Sequence, residues 1–176
     1  MRNFDPWVGS QYQNGLNGVR VLILGESHYG APPERSGFTS AIINKYGQTK
    51  RSHFFSTTQR LVSLDKNRGH IPSSKRREFW DKVAFYNFVQ EFVGTTSRLR
   101  PSQSQWEQGA EPFIQTVTEL APQLIVVLGQ KLKTYLPPEI NGVVYAYVKH
   151  PSGNGFSYKQ FQPIVAKAFE QCEVRT

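Results

Sequence analysis

Four short apolar runs interrupt an otherwise polar chain, and each has the length of one buried strand. They cover residues 19–24, 83–89, 124–129 and 143–148. Because the apolar residues follow one another with little polar alternation, each run predicts a strand buried on both faces, as in a parallel sheet. The segments between the runs predict helices at residues 53–64, 74–80, 106–120, 130–135 and 159–170.

Strands that alternate with helices predict an α/β fold in one domain spanning residues 1–176. We expect a central, parallel, four-stranded sheet with helices on both faces. The remaining segments predict irregular structure: a lead-in at 1–18, a long loop at 30–52 enclosing a short helix near 41–43, a basic loop at 65–77 and a polar loop at 95–105.

Reactive side chains follow three of the four predicted strands. Glu26, Ser27, His28 and Tyr29 come directly after the first strand. Asn87 lies at the end of the second strand, and the segment 150–156 follows the fourth. Ligands of open α/β sheets bind at the carboxyl ends of the strands, so these residues are expected to meet at one edge. An enzyme is therefore the leading hypothesis.

Composition narrows the class of protein. No apolar run approaches the roughly 18 residues of a membrane helix, and the first residues lack the apolar core of a signal peptide. We therefore expect a cytoplasmic monomer with no membrane partner. The single cysteine, Cys172, excludes an internal disulfide and any site that needs several thiolates. No metal and no cofactor is predicted.

The charge pattern points to a polyanionic partner. The chain carries 21 Lys and Arg against 13 Asp and Glu, a formal net charge of +8. Basic residues concentrate between Lys45 and Arg77 and recur at Arg98 and Arg100. Such an excess favours nucleic acid, although charge alone carries no sequence specificity.

Several motifs, taken in order, resemble the uracil-DNA glycosylase superfamily. The first is Gly25-Glu26-Ser27-His28-Tyr29, the second is the strand that ends in Asn87, and the third is His150-Pro151-Ser152. The sequence between these motifs, including residues 121–129, is similar in order and spacing to the bacterial branch related to the iron–sulfur uracil-DNA glycosylases. The resemblance extends from about Val21 to Tyr158, most of the chain.

This resemblance implies an enzyme that flips a damaged or modified base out of DNA and hydrolyses its N-glycosidic bond. It implies three groups of site residues. The catalytic group is Glu26, Ser27, His28 and His150. The base-binding group is Tyr29, Phe38 and Asn87. The DNA-binding group is Ser152, Gly153, Asn154, Phe156, Arg98 and Arg100, to which the basic run adds Lys75, Arg76 and Arg77.

The chain departs from the family pattern at four points. His28 stands where uracil-cleaving enzymes usually carry Pro, and Ser27 stands where the most efficient branch has Asp. The four cluster cysteines of the iron–sulfur branch are absent, and the basic insert between Tyr46 and Arg77 is long. Uracil is the first expectation, and the identity of the base stays open.

Two other functions fit parts of the sequence. A non-catalytic nucleic-acid-binding module on the same fold would keep the basic charge. A serine esterase would use Gly25-Glu26-Ser27 as its nucleophile motif, but no Asp follows Asp81 to support His150. A nucleotide-phosphate enzyme is disfavoured, since no Gly-rich loop with Lys is present.

Overall fold

The computed structural model describes residues 2–30, 37–96, 99–140 and 142–173. Their strands form one five-stranded sheet in the order β1-β3-β2-β4-β5. The strands are β1 (Trp7–Val8), β2 (Val21–Gly25), β3 (Ala84–Asn87), β4 (Leu124–Leu128) and β5 (Val144–Val148). The α/β class is confirmed, and β2 to β5 pair in parallel, but the sheet has five strands and not the four predicted.

The sheet is mixed, because β1 adds an antiparallel edge that the sequence did not predict. Trp7 pairs with Phe85 and Val8 with Ala84. Two residues are too few to show an apolar run, so the prediction of an irregular lead-in is wrong at this point. The Trp7 indole N–H donates to the Trp80 carbonyl at 2.9 Å. This bond ties β1 to the helix that ends at Trp80, just before β3.

The helices are α1 (Phe38–Ile42), α2 (His53–Val62), α3 (Ser73–Trp80), α4 (Gln103–Glu107), α5 (Ala110–Leu120) and α6 (Tyr158–Glu173). A π-helix, Ile43–Thr49, continues α1, and 3-10 helices cover Tyr12–Asn14 and Gln130–Thr134. The segment predicted as a long loop at 30–52 is thus helical over 38–49.

The predicted helix 106–120 is divided into α4 and α5. Ser102 and Gln105 form a capping box that starts α4. The break follows at Gly109, where a Cβ would lie 2.5 Å from the Phe88 ring. The close approach of the chain to Phe88 therefore separates two short helices where periodicity alone indicated one.

Helices cover both faces of the sheet, as predicted. Val21 and Ile23 face one core, into which α2, α3 and α6 also pack, whereas Leu22 and Leu24 face a second core shared with α4 and α5. All four side chains are fully buried. Alternate residues of each central strand thus enter different cores, which explains the unbroken apolar runs. No helix among residues 2–30, 37–96, 99–140 and 142–173 has the length and apolar character to cross a membrane.

Candidate active site

A cleft of about 680 Å³ opens at the carboxyl ends of β2, β3 and β5. It brings together residues from every predicted motif. Its lining includes Gly25, Glu26, Ser27, His28, Tyr29, Phe38, Phe54, Asn87, Arg100, His150, Ser152 and Gly153. The predicted convergence of three strand ends on one edge of the sheet is therefore confirmed, although the chemical roles of the residues remain predictions.

Glu26 and Arg100 form an ion pair at the cleft. Arg100 Nη1 lies 3.2 Å from Glu26 Oε1, with the carboxylate side chain 10% exposed and the arginine side chain 77% exposed. Arg100 was predicted to contact DNA, and here it neutralises the candidate catalytic carboxylate. An exposed arginine that bonds one anion can exchange it for another, such as a phosphate.

His150 also lines the cleft and is oriented by two contacts. The backbone N–H of Ser152 donates to its Nδ1 at 3.2 Å. The ring stacks on Phe54, with centroids 5.2 Å apart and planes inclined by 28°. Burial lowers the pKa of His150, the charge of Glu26 raises it, and Arg100 lowers it further. Since Nδ1 accepts a hydrogen bond, the neutral ring carries its proton on Nε2 and can donate from there.

His28 lies deeper than the sequence suggested. It is 4% exposed, and both ring nitrogens have partners: Asn87 Nδ2 donates to Nδ1 at 3.0 Å, and Nε2 lies 3.0 Å from Thr39 Oγ1. Burial lowers the pKa of His28 to about 4. Both ring nitrogens are therefore engaged by protein side chains in this arrangement, and the catalytic role of His28 stays a prediction.

Asn87 ends β3 directly beside Gly25 of β2, and the two residues are register partners. A Cβ on Gly25 would lie 2.1 Å from Asn87 Oδ1. Glycine is thus required at the end of β2 because the asparagine side chain crosses over it. Asn87 is 6% exposed and lines the cleft, so its amide is a fixed part of the floor.

Aromatic rings form the wall behind His28. Phe38 is half-buried and packs edge-on against His28 and Phe92, with centroids 5.1 and 4.9 Å away. Phe4 is fully buried and completes this group, 4.8 Å from the His28 ring. Tyr29 also lines the cleft and donates to the Leu99 carbonyl at 3.4 Å.

Ser27 contributes a hydroxyl that the protein leaves unsatisfied. Its Oγ is buried and has no hydrogen-bond partner among the residues that the structure describes. A serine nucleophile needs a base within hydrogen-bond reach. Both ring nitrogens of His28 and the Nδ1 of His150 are bonded to groups other than Ser27. The arrangement thus lacks the Ser–His contact of an esterase.

The loop after β5 is only partly directed at the cleft. Ser152 and Gly153 line it, and Asn154 is exposed. Phe156, which the resemblance placed in the DNA-binding group, stacks on Phe161 at 5.5 Å and meets Tyr158 edge-on at 5.2 Å. The Phe156 ring is half-buried against α6 and is not part of the cleft lining, and its contact with DNA stays a prediction.

The basic run of α3 lies away from the cleft. Arg76 is 6% exposed and donates to the carbonyls of Gln48, Thr49 and Ile71, so the predicted phosphate contact is wrong for this residue. Lys75 pairs with Glu78 at 2.9 Å and lines a separate hollow beside Leu16, at the amino end of the sheet. Arg77 is exposed on the same helix. Arg98 lies outside the described residues.

Four residues that contribute to the site escaped the sequence analysis. Phe54 stacks on His150, Thr39 bonds His28, and Phe4 and Phe92 pack around Phe38. Thr39 follows Phe38 directly, so its proximity to the site was readable. No neighbouring residue in the sequence indicates a role for Phe54, because its partner His150 is distant along the chain.

No family model matches this chain, and no curated protein shows significant similarity to it. Within residues 2–30, 37–96, 99–140 and 142–173, no group of three or more His, Cys, Asp and Glu side chains is arranged to hold a metal ion. The cleft's own side chains are therefore the basis for inferring function.

Proposed function

We propose that this protein is a DNA glycosylase that takes a flipped base into the cleft and hydrolyses its N-glycosidic bond. One observation carries the proposal: the cleft places an acid, a neutral histidine, an amide and an aromatic side chain together at the sheet edge. These residues are Glu26, His150, Asn87 and Phe38. The sequence resemblance to the uracil-DNA glycosylase superfamily supports the same function.

Each of these groups meets one requirement of the reaction. As the bond between C1′ and the base breaks, its electron pair leaves with the base and positive charge develops on the sugar. The carboxylate of Glu26 stabilises that cation and accepts a proton from the water that adds to C1′. The Nε2–H of His150 donates to an oxygen of the departing base, where removal of one such donor typically costs about 3 kcal/mol of barrier.

Positive charge at the same edge supports a DNA partner. Lys131 and Lys133 lie in the 3-10 helix that follows β4, and Lys149 follows β5. The ammonium of Lys131 lies 5.1 Å from the Trp106 ring centroid, and that of Lys133 lies 5.4 Å from the Tyr147 centroid. No carboxylate forms an ion pair with these three lysines in the part of the chain that the structure describes. Their charge is thus available to phosphates, unlike that of Lys75.

The experiment is an assay for alkali-labile sites. Labelled oligonucleotides that carry uracil, hypoxanthine, xanthine or a modified cytosine, single- and double-stranded, are incubated with protein and then heated in alkali. We expect breaks at one class of base, a loss of about a hundred-fold in rate for Glu26→Gln and His150→Ala, and no change for the exposed controls Glu170→Gln and His53→Ala.

One feature favours a second candidate, a module that binds a flipped base without cutting it. Arg100 Nη1 already lies 3.2 and 3.5 Å from the two oxygens of Glu26, so the carboxylate that would orient the water is engaged by the protein itself. Binding of DNA with no breaks on any base would support this module. No breaks and no binding would contradict both functions.

A further inference from the structure

The ring of Phe54 supports His150 from a different part of the chain. The two rings stack with their centroids 5.2 Å apart and their planes inclined by 28°, and both residues line the cleft. Phe54 lies in the first turn of α2, whereas His150 follows β5. A helix thus contributes directly to the surroundings of the candidate proton donor.

Two contacts together set the direction of the His150 Nε2–H. The backbone N–H of Ser152 donates to Nδ1 at 3.2 Å, and because a backbone amide can only donate, the neutral ring carries its proton on Nε2. One hydrogen bond leaves the ring free to turn about that bond. The stacked contact with Phe54 restricts this turn, so the two contacts hold both the plane of the ring and the direction of Nε2.

Phe54 owes its own position to a packed core. Its ring meets that of Phe55 edge-on, with centroids 5.0 Å apart, and Phe55 is 8% exposed. Further along α2, Leu61 and Val62 are fully buried in the same core. Because α2 packs into this core, the position of Phe54 is set independently of the loop after β5.

We infer that Phe54 is a positioning residue that aims the Nε2–H of His150 at the departing base. This inference rests on the proposed function, in which that N–H donates to an oxygen of the base. A donor lowers the barrier only when it points to the place where charge develops. Phe54 belongs to the insert between Tyr46 and Arg77, so the support comes from the part of the chain that departs from the family pattern.

The first test reads the state of His150 without any activity. Nitrogen-15 NMR of the histidine rings in the full chain, assigned from His150→Ala, should show wild type protonated on Nε2. In Phe54→Leu the ring can turn away from the Ser152 N–H, so a fraction protonated on Nδ1 is expected. Phe54→Tyr keeps an aromatic ring and should keep the wild-type pattern. An unchanged preference for Nε2 in Phe54→Leu would overturn the inference.

A pH series of the same spectra adds a second reading. Burial is the largest cause that lowers the pKa of His150, while the charge of Glu26 raises it and that of Arg100 lowers it. Phe54→Leu leaves both charges in place and exposes one face of the imidazole to water. The pKa of His150 should therefore rise toward its ordinary value in Phe54→Leu and stay at the wild-type value in Phe54→Tyr.

Tyr46→Leu is the control for the loss of an aromatic ring. Tyr46 is half-buried against the same core as Phe54 but is not part of the cleft lining. This variant should lose some stability and keep the wild-type proton position and pKa of His150. The same changes in Tyr46→Leu as in Phe54→Leu would show that packing of the whole insert, and not the stack, governs His150, and would overturn the inference.

The last test measures rates with the alkali assay on the base that wild type excises. Phe54→Leu should lower kcat by about ten-fold, less than His150→Ala, with KM near the wild-type value, and Phe54→Tyr should restore kcat. Adding Phe54→Leu to His150→Ala should lower kcat no further, because Phe54 acts through His150. A further loss in the double variant would contradict this. Inactivity of wild type on every base would count against the proposed function, while the NMR result would still decide whether Phe54 positions His150.

Discussion

Gly25 ends β2 directly beneath the side chain of Asn87. In Gly25→Ala the new Cβ would lie 2.1 Å from Asn87 Oδ1 and 3.2 Å from the Phe85 ring, so the amide must move. We expect a loss of about 1–3 kcal/mol in the free energy of unfolding and a larger loss of function. Urea denaturation and the alkali assay measure the two effects.

A matched control for this substitution is Gly69→Ala. There the nearest atom to a new Cβ is the Asn67 Oδ1, at 3.1 Å on an exposed side chain that already accepts from the Gly69 backbone N–H. Stability and activity should both stay close to wild type. A Gly25→Ala protein as active as this control would show that Asn87 is free to move.

Buried His28 should make the fold sensitive to acid. Its pKa is lowered to about 4 in the folded protein, below the ordinary value of 6.5. Between these pKa values the His28 ring is protonated in the unfolded chain and neutral in the folded chain. The contribution of His28 to the free energy of unfolding is therefore fully present above about pH 6.5 and is lost as the pH falls toward 4. The linkage amounts to up to about 3 kcal/mol.

Urea midpoints at pH 7 and pH 4.5 test this dependence, with His28→Gln as the comparison. The variant cannot titrate at position 28, so its stability should fall less over the same interval. Burial lowers the pKa of His150 too, which leaves some acid sensitivity in the variant. Equal losses in the two proteins would contradict the assignment to His28.

Arg76 belongs to the packing of the π-helix against α3. Its guanidinium donates to the carbonyls of Gln48 and Thr49, at the end of the π-helix, and to that of Ile71. A cation suits the carbonyl end of a helix. Arg76→Gln should therefore destabilise the fold by about 2–4 kcal/mol, whereas Arg77→Gln, with the same change of charge, should cost little.

Thermal unfolding of the two variants distinguishes a structural Arg76 from a surface cation. If both variants unfold like wild type, the buried contacts of Arg76 contribute no net stability. A salt titration of DNA binding adds an independent check. If Arg76 contacts no phosphate, the folded Arg76→Gln protein should bind DNA with the same dependence on salt as wild type.

A helix or strand can be predicted from the sequence when its own residues determine it, and not when contacts with distant segments do. β2 and β4 are readable because fully buried strands need unbroken apolar runs such as 21–24 and 124–128. β1 is not, since its two residues are held by pairing with β3. The break between α4 and α5 is also set from a distance, by the contact between Gly109 and Phe88.

For the site, the sequence supplied the residues that follow strands, because topology alone carries these to one edge. It misplaced Arg76, whose basic side chain fits a DNA surface by type but is buried. It also missed the Phe54–His150 stack, which joins α2 to the loop after β5. Contacts between segments distant in sequence leave no local pattern to read.

At the scale of the whole molecule, the unpaired lysines beside the cleft predict where the proposed DNA partner would lie. Lys131 and Lys133 sit over aromatic rings at the cleft edge of the sheet, whereas Lys75 is paired with Glu78 toward the opposite edge. Replacing Lys131 and Lys133 together by Gln should weaken DNA binding and reduce the slope of log K against log salt by about 2.

The control removes the same charge elsewhere, in Lys75→Gln with Arg77→Gln. A response to net charge alone would weaken binding equally in the two double variants. Binding lost only in the control would place the DNA on the α3 side and separate it from the cleft. Fluorescence anisotropy with one labelled duplex at several salt concentrations measures both variants.

The buried ring of Phe4 has a practical consequence for anyone who handles this protein. The Phe4 backbone N–H donates to Gln90 Oε1 at 2.9 Å, and its ring supports His28, Phe38 and Phe92 from behind. A purification tag joined closely to the first residues, or a proteolytic nick after them, would loosen this support. We expect activity to fall more than the thermal unfolding midpoint, so a tag is better joined after α6, whose Cys172 lies against Gln123 at the amino end of β4.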